Sequence, residues 1–157
     1  MELPKTRFFG SDLRLLGDLD RQNSRDRGSD LRVQERRRSG RRDLEAISNV
    51  DNIKQALLLR FLTSVGELAQ LGHPTYGCRL IELVGELNNE RTHNRAKMFV
   101  LKALADEPRV QEVLSVTVQA NRTDRARMDI AVELLTLESA TPLNLVFPYF
   151  LDRSPAA

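Results

Sequence analysis

The feature that most constrains this chain is a change of hydrophobic period near residue 110. Upstream, Ile53, Leu57 and Phe61 recur at i, i+4 and i+8, with Ala56 beside them. That is one face of a helix. Leu58, Leu59 and Leu62 widen the stripe, so this helix is covered on more than one side. Asp51 is the expected N-cap for a start at Asn52. A second helix is predicted over 78–87, with Leu80, Leu83, Val84 and Leu87 on one face and Glu82 and Glu86 on the other. Asn88-Asn89 is its stop. A third is predicted over 93–105 on Ala96, Phe99, Val100, Ala103 and Leu104. Downstream the period becomes two. Leu114, Val116, Val118 and Ala120 alternate with Ser115, Thr117 and Gln119. Met128, Ile130, Val132 and Leu134 follow, then Leu143, Leu145, Phe147 and Tyr149. These read as three half-buried strands. The phase slips at Leu135 and Leu137, which marks a bulge or strand end. Pro148 cannot donate to a ladder and belongs at an edge or strand end. The expected fold is α+β: about three helices followed by a small antiparallel sheet of about three strands, with an extended N-terminal arm.

Three further segments complete the layout. Residues 64–77 form a loop, broken by Gly66, Gly72, Pro74 and Gly77. Residues 44–47 are a short strand or extended lead-in. Residues 1–43 form an arm and charged linker. Phe8, Phe9, Leu13, Leu15, Leu16 and Leu19 make a small apolar patch there, fit to dock on the domain or on a neighbouring subunit. From 20 to 43 the chain is mostly Arg, Asp, Ser, Gly and Gln, too polar for a core of its own. The expected compact domain is 44–152, followed by a tail at 153–157.

The 157 residues suit one domain, and 41% apolar content suits one modest, mainly aliphatic core. No apolar run reaches the roughly 18 residues of a membrane helix, and Met1-Glu2-Leu3-Pro4-Lys5 does not read as a secretion signal. Cys78 is the single cysteine, which suits a reducing cytoplasm or an assembly built there. The net charge of +2 is uneven: residues 1–45 hold twelve basic and nine acidic side chains, and the remainder is net −1. Much of the excess is Arg36, Arg37, Arg38, Arg41 and Arg42. Such a cluster is a solvated arm, an acidic-protein contact or, least favoured, a phosphate contact.

Candidate catalytic groups are few. Glycoside hydrolysis needs two carboxyls about 5–9 Å apart with separated pKa values. Glu82 and Glu86 have that spacing on a helix, but they oppose the apolar stripe, and a polar helix face explains them. His73, Cys78 and His93 fit no zinc spacing. There is no phosphate loop or dinucleotide fingerprint. No catalytic residue, metal ligand or cofactor is expected. Glu107-Pro108-Arg109 differs. Pro108 ends the helix before it and leaves a carboxylate and a guanidinium on a stiff corner. The corner is either an ordinary helix stop or a preorganised polar contact. The sheet adds two edges whose backbone groups invite another strand, unless Pro148 and nearby charges blunt them.

Asn52-Ile53, Leu62-Thr63, Gly66-Glu67, Tyr76-Gly77 and Glu107-Pro108-Arg109 occur in an order that resembles the lysozyme-like wedge proteins of contractile phage tails. This is the baseplate assembly protein W group, with its type VI secretion and contractile-injection counterparts. The resemblance spans 44–152 and is strongest over 52–116. Leu68 departs from it, since many members have Arg after Gly-Glu. Phe8-Phe9-Gly10-Ser11-Asp12-Leu13 looks more like the injection-system branch. The resemblance implies a non-enzymatic baseplate part, in six copies, linking the wedge complex to the sheath and templating the first sheath ring. It implies wedge contact at Glu107, Pro108 and Arg109, and sheath-side strands around Leu114, Val116, Val118, Leu145 and Phe147. Implied partners are wedge proteins, sheath subunits and inner tube or hub proteins, with no membrane. Implied location is the bacterial cytoplasm during assembly and the baseplate thereafter. The competing readings are a peptidoglycan hydrolase and a nucleic-acid-binding module using the Arg-rich arm.

Overall fold

The computed structural model describes residues 9–17, 31, 33–35 and 40–152. Four short strands come first: β1 (Ser11–Leu13), β2 (Val33–Glu35), β3 (Arg42–Leu44) and β4 (Ala46–Ser48). Helix α1 (Asn49–Leu62) follows, then α2 (Glu90–Ala105). The long strands are β5 (Val110–Ala120), β6 (Arg127–Thr136) and β7 (Ser139–Phe150). β1 pairs with β4, β2 with β3, and β5-β6-β7 form an antiparallel three-stranded sheet. This corrects the expected architecture. The described residues form two α-helices and three sheets, not three helices followed by one sheet.

The missing helix is the segment expected over 78–87. It is a single 3-10 stretch, Arg79–Leu83. Gly85 has φ +91, a left-handed conformation that stops helix propagation. Its N–H is spent on the Leu151 carbonyl at 2.6 Å instead of a helical partner. Leu80 and Leu83, three apart, are both buried, which suits three residues per turn. Leu87, expected on the same stripe, is 79% exposed.

The extra sheets come from the arm. β1 lies on β4, and Phe9 and Leu16 are buried in the core. Two polar residues of α1 hold this segment. Gln55 Oε1 accepts from Leu15 N at 2.8 Å and Leu16 N at 3.1 Å, while its Nε2 donates to Leu13 O at 2.9 Å. Asn52 Nδ2 donates to Phe9 O. A segment this short has little core of its own, so these buried side-chain bonds to its backbone fix its register.

α1 begins three residues earlier than the sequence suggested, with Ser48 as N-cap and Asp51 in the first turn. There the carboxylate faces the positive end of the helix dipole. α2 is capped by Asn89, which accepts from Thr92 N at 3.1 Å. Between the helices, Gly77 (φ +117) passes so close to Thr63 that an added Cβ would lie 2.6 Å from its carbonyl oxygen. Only glycine fits there.

β6 is the central strand, with Met128, Ile130, Val132 and Leu134 buried on one face. Leu143, Leu145, Phe147 and Tyr149 of β7 extend that face. The helices cover it, and Phe61 of α1 stacks on Phe147 at 5.0 Å between centroids. Such a stack adds about 1 kcal/mol beyond its buried area. The phase slip read near Leu135 is a register shift between Leu134 and Thr136. Among the described residues, no helix is long and apolar enough to cross a membrane.

Candidate functional site

The corner between α2 and β5 is a tight turn. Val110 N donates to Glu107 O at 3.1 Å, with Pro108 and Arg109 between them. Proline suits the second position of such a turn because its φ is preset. Arg109 O accepts from Leu137 N at 3.1 Å, which ties the corner to the β6–β7 turn.

The Glu107 side chain turns inward and is 5% exposed. Its Oε2 accepts from Arg60 Nη2 at 3.1 Å, and its Oε1 accepts from Arg109 Nε at 2.6 Å. Arg60 comes from the last turn of α1 and is buried too. Its guanidinium carbon lies 4.4 Å from the centroid of the Tyr76 ring, a stacking contact between cation and π-face. Burial pushes the Glu107 carboxyl up, but the hydrogen bond and charge of Arg109, with the charge of Arg60, outweigh it and hold the carboxyl below its ordinary range. Burial raises the Tyr76 phenol, so it stays neutral. The site therefore holds one carboxylate between two guanidiniums. Arg109 remains half-buried and Pro108 exposed.

The other predicted residues are dispersed along the sheet. Val116, Leu145 and Phe147 are buried on the core face, and Val118 is half-buried. Leu114 is 43% exposed, because the register shift between Val113 and Ser115 takes it out of the alternation. Among the described residues β5 pairs only with β6, and its regular run from Val116 to Ala120 contains no proline. β7 contains Pro142 and Pro148. Of the basic arm, Arg41 and Arg42 are exposed, and Arg42 sits opposite Glu35. Arg36, Arg37 and Arg38 lie outside the described residues.

The two carboxylates weighed for hydrolysis are both ion-paired. Glu82 accepts from Arg79 Nε at 2.5 Å and Nη2 at 2.9 Å. That hydrogen bonding holds its carboxyl below the ordinary range. Glu86 pairs with Arg95. A general acid needs a raised pKa and access to substrate, and Glu82 is shifted the other way. Cys78 is buried, its Sγ 3.5 Å from Phe99 O, and burial raises its thiol pKa. That suits an inert packing group.

Sequence reasoning missed Arg60 and Gln55, and it named Asn52 and Tyr76 only as motif residues, without the contacts that they make. A signal was present: Arg60 interrupts the apolar run Leu57-Leu58-Leu59-Arg60-Phe61-Leu62, and a charge inside such a run needs a buried partner.

No family model matches this sequence, and no curated protein matches it. Among solved structures, the chain is similar to the crystal structure of a candidate tail lysozyme from Geobacter sulfurreducens. Identity is 29% and the TM-score 0.59, over 69% of this chain and 97% of that one. The likeness is thus to a protein described as a tail lysozyme.

Proposed function

We propose that this chain is a structural part of the baseplate of a contractile injection machine, present in six copies, that joins the wedge complex to the sheath and templates the first sheath ring. The observation that carries this reading is the likeness to the tail protein over nearly its full length, together with the Glu107-Pro108-Arg109 corner through which the sequence resembles the wedge family. The corner is rigid, as a docking element needs to be. The regular run of β5 around Val118 lies about 30 Å farther along the strand, at about 3.3 Å per residue. One small body thus carries a polar bend for the wedge and, among the described residues, a β5 edge with no strand on it to receive a sheath strand. In this reading the chain is not an enzyme, and it is assembled in the bacterial cytoplasm. The ion pairing of Glu82 and Glu86 supports that over a hydrolase.

Co-expression with the wedge and sheath proteins of the same genome tests the reading. Wild-type chain should co-purify with the wedge, and Arg109→Gln should abolish that while its circular dichroism still shows the folded domain. In hydrogen exchange, the 116–120 amides should become protected on sheath binding. Unchanged exchange in both β5 and β7, on particles carrying a complete sheath, would overturn the sheath role.

A further inference from the structure

The corner contains more positive charge than it uses. Glu107 offers two oxygens, and each is taken by a different arginine. Two guanidiniums against one carboxylate leave a net charge of +1, with Tyr76 neutral beside them. Among the described residues, no other carboxylate pairs with Arg60 or Arg109. Arg60 is sealed in, and its Nε has no partner. Arg109 is the more open of the two: its side chain is 26% exposed, against 9% for Arg60. Arg109 spends Nε on Glu107, so its Nη1–Nη2 end makes no bond to a described residue. That end is a planar, doubly donating fork. Its backbone is pinned by Leu137, and its side chain by Glu107. The entropy of ordering a long side chain is therefore already spent.

We propose that the corner is a preorganised receptor for a single carboxylate, an acidic side chain of the partner, taken end-on by Arg109. Glu107 and Arg60 are positioning residues: Glu107 aims Arg109, and Arg60 neutralises Glu107 so that the charge of Arg109 is left for the incoming group. A monoanion matches the excess charge of +1, which favours a carboxylate over a phosphate dianion. This identity of the partner group rests on the wedge-contact reading of the corner, whereas the receptor itself is testable without any partner.

The test is arginine side-chain NMR on the 15N-labelled full chain. The Nε–H of Arg109 should be ordered, with an order parameter near the roughly 0.85 of rigid backbone, while exposed Arg125 falls below about 0.6. Acetate should shift the Arg109 signals saturably and beyond matched chloride. Arg109→Gln should weaken acetate binding roughly tenfold or more, the scale of a charge-assisted bidentate pair. Arg109 as mobile as Arg125, an acetate response no larger than that of chloride, or tighter binding of inorganic phosphate than of acetate would each overturn the proposal. If acetate binds but Arg109→Gln still co-purifies with the wedge, the wedge reading fails and the receptor stands. If Arg109→Gln loses the wedge but acetate has no effect, the receptor fails and the wedge reading stands.

Discussion

Glu107 and Glu82 are the same group facing the same kind of partner, and physical setting separates them. Glu82 makes the better-looking pair, with both oxygens on one guanidinium, but it stands in solvent. Water would solvate both ions nearly as well apart, so such pairs contribute little. Glu107 is split between two arginines, one from the last turn of α1 and one from its own turn, and is almost sealed. There the ions have lost water, and each depends on the others. A short distance does not rank ion pairs; what surrounds the ions when one partner leaves does.

Removing Glu107 is the hardest blow to this contrast. Glu107→Ala strands the buried Arg60 and should cost about 3–5 kcal/mol, the usual loss when a buried pair is broken. In a domain of this size that lowers Tm by about 10 °C, measured by calorimetry or circular dichroism. The double variant Arg60→Met, Glu107→Leu should recover much of the loss, because no charge is left buried. A Glu107→Ala protein as stable as wild type would mean that the corner is hydrated and that the two carboxylates do not differ in kind.

The same contrast shows what was legible beforehand. Ile53, Leu57 and Phe61, and the alternation from Met128 to Leu134, could be read because one-sided burial writes its period into the sequence. The expected helix over 78–87 failed because four apolar residues mimic a stripe while Gly85, in a left-handed conformation, breaks it. Sequence spacing does not carry that dihedral. The small β1–β4 sheet was illegible for another reason: its register is held by Gln55 and Asn52, about 40 residues away. Glu107-Pro108-Arg109 was readable as a stiff turn, since proline acts locally. The inward direction of Glu107 was not, because its other partner, Arg60, is 47 residues distant.

Acid titration sharpens the comparison with a smaller effect. Both carboxyls are held below their ordinary range when folded. A depressed folded pKa contributes stability that is complete above the unfolded value, about 4.3 for Glu. It is lost as pH falls through the folded value. Denaturant midpoints measured downward from pH 6 should therefore fall for the wild type once pH passes below about 4.3. Glu107→Gln should flatten that limb clearly and Glu82→Gln only slightly. Equal slopes for Glu107→Gln and wild type would show that Glu107 is not the acid-sensitive group.

The smallest expected effect is the one that the eye would rank highest. Glu82→Gln breaks a two-oxygen ion pair, and its Tm should stay within measurement error of wild type. Both groups are exposed, Arg79 keeps its contact over the Phe99 ring at 5.0 Å, and salt already screens the attraction. The result has a functional side as well. If Glu82 served as an acid catalyst, the substitution would leave stability untouched and abolish cell-wall cleavage. A turbidity assay on purified peptidoglycan, run on wild type and Glu82→Gln together, separates the two roles. A wild-type rate above background that vanished in the variant would put chemistry on this surface and end the purely structural account. Two flat traces with matching melting curves are what a solvated ion pair on a scaffold produces.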